Sequence, residues 1–375
     1  MKPSESMTEL LRAKIAASPR AAIPFRDYMN LCLYHETYGY YSRESVKVGK
    51  DGDFYTSVSI GTIMGEVLGS YFIRLAEELA ESDSRVAIVE WGGGTGRLAA
   101  LVLDTIARLH PELYARLDYT LIEISAYHRE LQRQSLVGHA RVRVMAEEEW
   151  TRAEKAAGGG SVSIIFSNEL LDAFPVYRVE RKDGDLYEWH VGWNEGERRF
   201  EERLLPLAPG SPAAVYMEEE GIAVREGQVI EVNPAASDWI RRAGDAIRIG
   251  ALVTIDYGDV AEELYAAHRM RGTLMCYRRH RAADEPFDYP GEQDMTAHVN
   301  FTACIRAGEA AGFAEWSLRT QKRFLLEEGA LELLVPHDGT DPFSAEARRN
   351  RAVRQLLISD QMSELFKVLV QTKKR

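Results

Sequence analysis

Val86-Ala87-Ile88-Val89-Glu90-Trp91-Gly92-Gly93-Gly94-Thr95-Gly96 is the run that decides the fold. An apolar stretch ends in an acid, turns through glycines and passes into the amphipathic segment Arg97 to Leu109. This is the pattern of a buried strand, a tight turn and a helix, the opening unit of an α/β sheet. Glycines there let a ligand approach the backbone. A dinucleotide fingerprint GxGxxG starting at Gly92 needs its third glycine at position 97, where Arg97 stands. The spacing is instead ExGxGxG, from Glu90 through Gly92 and Gly94 to Gly96. A carboxylate at that place is unfavourable for a pyrophosphate. The bland alternative is a glycine turn with no ligand.

Outward from this run, Tyr119 to Ile124, Val142 to Met145, Val162 to Phe166 and Leu252 to Ile255 are further β-rich stretches separated by helix-length segments. They predict a mostly parallel, doubly wound, Rossmann-like sheet. Ser4 to Leu33 reads as helical with a stop near Pro24, and residues between Gly39 and Gly69 have the composition of an ordered loop. Residues 1–80 are therefore expected to form a helical N-terminal lobe with a covering loop, and residues 81–375 the core. Within the core, Val176 to Leu207 alternates and carries the turn signals Lys182-Asp183-Gly184 and Asn194-Glu195-Gly196, which predicts inserted antiparallel strands over 176–207. Gly258 to Phe301 is dense in Arg, His, Asp, Tyr and Pro, and is expected to be a substrate-facing lid over 258–301.

Hydrophobic residues make up 45% of the 375 and charged residues 28%, ample for a folded core. Lys plus Arg number 46 against 58 Asp plus Glu, a net charge of −12 that argues against a phosphate-neutralising surface and so against nucleic acid. The cysteines Cys32, Cys276 and Cys304 form no CxxC pair, which disfavours a disulfide framework or a thiolate metal site. No stretch has the ~18 apolar residues of a membrane span, and residues 1–20 have no apolar run of a leader. A cytoplasmic protein without a membrane partner is expected; the oligomeric state stays open.

The ExGxGxG spacing resembles that of class I methyltransferases that use S-adenosyl-L-methionine. That resemblance implies that Glu90 helps place the cofactor's methionine ammonium, with Gly92, Gly94 and Gly96 packed against the cofactor. Glu123 closes the next β-rich run, where both Rossmann and methyltransferase sheets place a carboxylate for ribose hydroxyls, and Ile124 beside it joins the cofactor set. The fourth run leads into Asn168-Glu169-Leu170-Leu171-Asp172-Ala173-Phe174-Pro175, near the methyl position of such folds. Asn168 is assigned to the cofactor, Glu169 and Asp172 to catalysis; in a helical turn the two acids share one face. The alternative makes Asn168 and Asp172 helix caps. Asp53 and Phe54, in the glycine-rich loop, are expected to fold over the cofactor.

Taken with their flanks, these residues resemble the MidA family (DUF185-type), which includes a mitochondrial complex I assembly factor acting as a protein arginine methyltransferase. Tyr38-Gly39-Tyr40-Tyr41, Gly52-Asp53-Phe54-Tyr55-Thr56-Ser57 and Gly65-Glu66 are similar to the family's GYY, GDFxTS and FGE elements. Glu123-Ile124-Ser125 with Gln134, and Asn168 to Pro175, match further elements. So do Asp256-Tyr257-Gly258, Gly272-Thr273-Leu274 with Tyr277 and His280, and Pro290-Gly291 leading to Asp294-Met295-Thr296-Ala297-His298-Val299. Departures stand at Val58, Met275 and Asn300, mainly in the substrate-facing parts. The resemblance implies methyl transfer to a protein, most plausibly to an arginine guanidinium. Glu169, Asp172 and Asp294 are the candidate carboxylates, and His298 or His280 a candidate proton acceptor. Two rivals remain, a cofactor-loaded assembly scaffold without catalysis and a small-molecule methyltransferase.

Overall fold

The computed structural model describes residues 3–43, 62–79, 84–157, 162–279, 281–337, 341–358 and 362–374. Val86–Trp91 is a strand buried on both faces, as its unbroken apolar run requires. Successive side chains point to opposite sides: Ile88, Ile164 and Val253 enter one apolar layer, Val89, Ile165 and Leu252 the other.

The central sheet has eight strands, one of them the two-residue Val299–Asn300. The other seven, in chain order, are Val86–Trp91, Leu117–Ile122, Val142–Met145, Val162–Asn168, Gly250–Asp259, Glu315–Thr320 and Phe366–Lys373. Their spatial order is 3-2-1-4-5-7-6, with only the seventh running against its neighbours. A dinucleotide-binding sheet has the order 3-2-1-4-5-6, so the reversed strand between the fifth and sixth sets this sheet apart. The order switches direction between Val86–Trp91 and Val162–Asn168, and ligands of such sheets lie beyond the carboxyl ends there.

Two strand ends differ from expectation at that edge. The second strand stops at Ile122, because the Glu123 carboxylate turns to accept the Ser125 N–H at 2.9 Å and Ser125 caps the helix Ala126–Ser135. The fourth runs on to Asn168, held by register with Thr254 and Ile255.

The expected insertion is present as Tyr177–Lys182, Asp185–Asn194 and Arg199–Pro206, all antiparallel. Asp183 and Gly184, at φ 54° and 87°, make its first two-residue turn. Val229–Val232 and the N-terminal Ala22–Pro24 extend this sheet, two contributions too short for periodicity to reveal. Helices Pro3–Ala17 and Phe25–Tyr34 cover it through Met7, Leu11, Phe25 and Tyr28. Helix Ile63–Leu79 falls within the lobe expected over 1–80, yet it packs on the central sheet through Leu68, Phe72 and Leu75. Within 258–301, Met275–Arg278 pairs with Arg281–Ala283 and with Asp294–Thr296. Among the described residues no helix is long and apolar enough to cross a membrane.

Candidate active site at the carboxyl ends of the strands

Glu90, Asn168 and Asp256 lie in three neighbouring strands, and Glu123 directly follows a fourth, at the carboxyl-end edge of the sheet. The glycine turn beside Glu90 holds Gly92, Gly94 and Gly96 at φ 73°, 51° and 80°. Their roles divide. A Cβ on Gly92 or Gly96 would press on Leu170 or Gln132, whereas one on Gly94 would meet nothing within 4 Å among the described residues. Gly94 therefore borders the open crevice, and the other two serve the fold around it.

Glu90 is buried and accepts the Tyr119 hydroxyl at 2.6 Å. Burial raises its carboxyl to about 7, against the lowering by that bond. Glu123 is raised to about 7 by the same cause, opposed by the Ser125 N–H and Arg129. Both acids thus sit buried at the turn, and burial outweighs the groups that lower them. Ile124 follows, 68% exposed, an apolar face left open next to Glu123.

Gln132 is the residue the sequence motifs missed. Its Nε2 donates to the Gly94 carbonyl at 2.9 Å and to Glu123 at 3.4 Å, while its Oε1 is buried without a partner. Gln134, named in its stead, lies on the exposed side, bonded to Glu130 at 3.0 Å. Helical phase explains this: seven residues after the capping Ser125 is 132, on the buried face with His128, and 134 falls away from it.

The turn after the fourth strand is not the expected helical one. Glu169 adopts φ 56°, and the Asp256 carboxylate takes the place of helix bonds by accepting the N–H groups of Leu170 at 3.1 Å and Leu171 at 2.8 Å. Neither Asn168 nor Asp172 caps a helix here. Asn168 Nδ2 donates to Glu169 Oε1 at 3.1 Å, leaving its own Oδ1 buried and unpaired. Asp172 is 4% exposed and its Oδ1 also lacks a hydrogen-bond partner. Burial first, then the charges of Asp256, Asp294 and Glu169, push the Asp172 carboxyl well above the usual range. Asp256 is raised to about 7 by burial. Asp294 accepts the Tyr41 hydroxyl at 2.8 Å, and the Asp172 carbonyl accepts the Ala297 N–H at 2.9 Å, which ties the 258–301 segment to this turn.

The structure thus gathers Glu169, Asp172 and Asp294 with Asp256. His298 has other charged neighbours, Arg269, Asp259 and Lys367; burial and Arg269 lower its pKa to about 4, so it is neutral at pH 7. Asn300 caps helix Phe301–Ala310 by accepting the Ala303 N–H, a task in which Asn and Asp are equivalent. That departure therefore serves the fold and leaves the crevice chemistry untouched. Asp53, Phe54, Val58 and His280 lie outside the described residues.

Buried polar atoms are nearly always paired. Among the described residues, Gln132 Oε1, Asn168 Oδ1 and Asp172 Oδ1, part of a larger set of unpaired buried atoms, lie by these strand ends, where a bound molecule would supply donors. A ligand with an ammonium and vicinal hydroxyls fits the first part, beside Glu90, Glu123 and Gly94. A cation fits the carboxylates beyond.

Residues 67–317 match a family described as putative S-adenosyl-L-methionine-dependent methyltransferases. A solved structure of a likely methyl transferase from Burkholderia thailandensis bound to S-adenosyl-homocysteine is similar at 33% identity and a TM-score of 0.85, covering 99% of this chain and 92% of that one. The mitochondrial protein arginine methyltransferase NDUFAF7 homolog of Drosophila melanogaster is 25% identical over 88% of this chain and 77% of its own length. Protein arginine methyltransferase NDUFAF7 of Xenopus tropicalis is 25% identical over 92% and 81%.

Proposed function

Because this chain belongs to that family of S-adenosyl-L-methionine-dependent methyltransferases, and is such an enzyme, we propose that its acceptor is an arginine guanidinium on a protein. One observation carries the choice of acceptor: the buried, unpaired Asp172 Oδ1 among the carboxylates of Asp256, Asp294 and Glu169. The names of the Drosophila and Xenopus relatives support it.

Glu90 would hold the cofactor's ammonium and Glu123 its ribose, with Gly94 admitting it to the backbone and Gln132, Asn168 and Ile124 lining its sides. When bound, the cofactor supplies a methyl group on a positively charged sulfur that is a good leaving group. The chain's own work is to orient the acceptor, exclude water and remove a proton. A guanidinium is a weak nucleophile because its lone pair is delocalised. Carboxylates can hold its fork and bias its charge away from the attacking nitrogen. Asp172 Oδ1 has no partner among the described residues and would accept an N–H; once a bound guanidinium favours its carboxylate form, it would be the receiver of the proton that nitrogen must shed. Asp256, fully buried and committed to three backbone N–H groups, shapes the turn and adds charge without reaching the acceptor.

A reducing compartment, the cytoplasm of the sequence reading, is supported by Cys32, Cys276 and Cys304, all buried and unbonded. Incubating the enzyme and labelled S-adenosyl-L-methionine with lysate of a strain lacking the gene tests the acceptor. Label in protein, mapped to arginine by mass spectrometry, is the expected result. Label confined to small molecules, or tight cofactor binding without transfer, overturns it.

A further inference from the structure

We propose that Tyr34 and Tyr41 are positioning residues for the methyl acceptor, a stacked pair that clasps the Asp172 and Asp294 walls of the site at a fixed separation. This rests on the acceptor site assigned above. Tyr34 is the last residue of helix Phe25–Tyr34, and its hydroxyl donates to the carbonyl of Ala173, next to Asp172, at 2.9 Å. Tyr41 donates to Asp294 Oδ1 at 2.8 Å, on the opposite wall. The two rings stack at 5.4 Å and 25°, so the walls are joined through one aromatic contact.

Local structure explains how two residues seven apart come side by side. After the helix the chain folds back on its last turn: Gly39 N–H bonds to His35, Tyr40 N–H to Cys32 and Tyr41 N–H to Leu33, at 2.8, 2.8 and 3.0 Å. Gly291, at φ 76°, leaves the Tyr38 carbonyl room that a Cβ would take, seating the 258–301 segment against this fold-back. On the far side, the Ala297 N–H bond to the Asp172 carbonyl makes a second tie between the same walls.

A clasp holds the buried Asp172 and Asp294 carboxyl groups, near enough for Asp294 to raise the Asp172 pKa, at one separation. Fixing them apart by one set distance lets a planar fork bridge them; letting them drift does not. Burial and the surrounding carboxylates hold both tyrosine hydroxyls well above their usual range, so both remain donors at any working pH.

Tyr34→Phe and Tyr41→Phe keep the rings and remove one hydroxyl each. With the protein saturated by S-adenosyl-homocysteine, hydrogen exchange of segment 293–299 should rise about tenfold or more in either variant, with no change in Val86–Trp91. Affinity for S-adenosyl-homocysteine should stay within twofold. The half-saturating concentration of the hypomethylated protein acceptor should rise about tenfold with a smaller change in maximal rate, and Tyr41→Phe should add nothing to the exchange of 293–299 in an Asp294→Ala background, which has no side-chain acceptor. Unchanged exchange in 293–299, or a Tyr41→Phe effect on that exchange undiminished by Asp294→Ala, overturns the clasp. Label on a residue other than arginine overturns the acceptor reading instead, while the exchange result still decides the clasp.

Discussion

Gly94→Ala separates the ligand cradle from the fold. At φ 51° an alanine is strained by about 1–2 kcal/mol, and its Cβ meets nothing within 4 Å among the described residues, so they add no steric penalty in the free protein. The melting temperature should fall by only a few degrees, since about 1 kcal/mol corresponds to roughly 2–4 °C in a domain of 150–250 residues and less in a larger one. The same methyl group projects into the crevice where the cofactor must lie. Overpacking of that kind costs about 1–3 kcal/mol, a loss of roughly five- to 150-fold in affinity. Gly94→Val, β-branched, should lose more. Gly96→Ala is the control, because its Cβ would lie 3.1 Å from the Gln132 backbone and should damage stability and binding together. Calorimetric titration with S-adenosyl-L-methionine beside thermal denaturation reads both quantities. A folded Gly94→Ala protein with wild-type affinity would refute the placement of the cofactor against this glycine.

Three further outcomes are expected. Asp172→Asn should keep cofactor affinity and slow methyl transfer by roughly a hundredfold or more, about 2–4 kcal/mol, and Glu169→Gln tests whether that acid shares the role; wild-type turnover in both would discard the carboxylate site. Glu90 is raised to about 7 when folded, against about 4.3 unfolded, so the stability it contributes is full below about 4.3 and lost as pH rises through about 7, by roughly 3 kcal/mol. Urea unfolding of the cofactor-free protein at pH 5 and pH 8 should show a decline to which Glu123 and Asp256 also contribute, and Glu90→Gln should lessen it; equal declines in the two proteins would show that Glu90 does not titrate there. Gln132→Leu deletes the bond to the Gly94 carbonyl and an acceptor facing the crevice, and should weaken cofactor binding about tenfold, while Gln134→Leu should not, as judged by the same titrations.

The strands around Val86–Trp91 were legible because burial on both faces demands unbroken apolar runs, and Glu90 and Glu123 because an acid ending such a run is anomalous. Asp256 carries the same mark, an acid closing Ala251 to Ile255, yet its work in shaping the Asn168 to Pro175 turn is visible only once the neighbouring strand supplies the N–H groups it accepts. Glu169 and Asp172 were found by type and place, but the helical geometry expected of them gives way to a turn whose backbone bonds go to a side chain 85 residues away. Strand order was beyond reach, since nothing local tells Phe366–Lys373 to enter between the fifth and sixth strands rather than join an edge. The three-residue Ala22–Pro24 and four-residue Val229–Val232 are too short to show a period of two.

That late strand bears on how the protein is made. Phe366–Lys373 pairs along eight residues with Gly250–Asp259 and along six with Glu315–Thr320, and those two strands have no ladder between them without it. During synthesis, everything up to residue 365 can emerge while the sheet still has a gap in its interior and two hydrogen-bonding rims open to other chains. A nascent chain is therefore committed to a vulnerable interval that closes only once Phe366–Lys373 has left the ribosome. Truncation anywhere before Phe366 makes that interval permanent, so even a late premature stop should yield insoluble or degraded protein rather than a weakened enzyme.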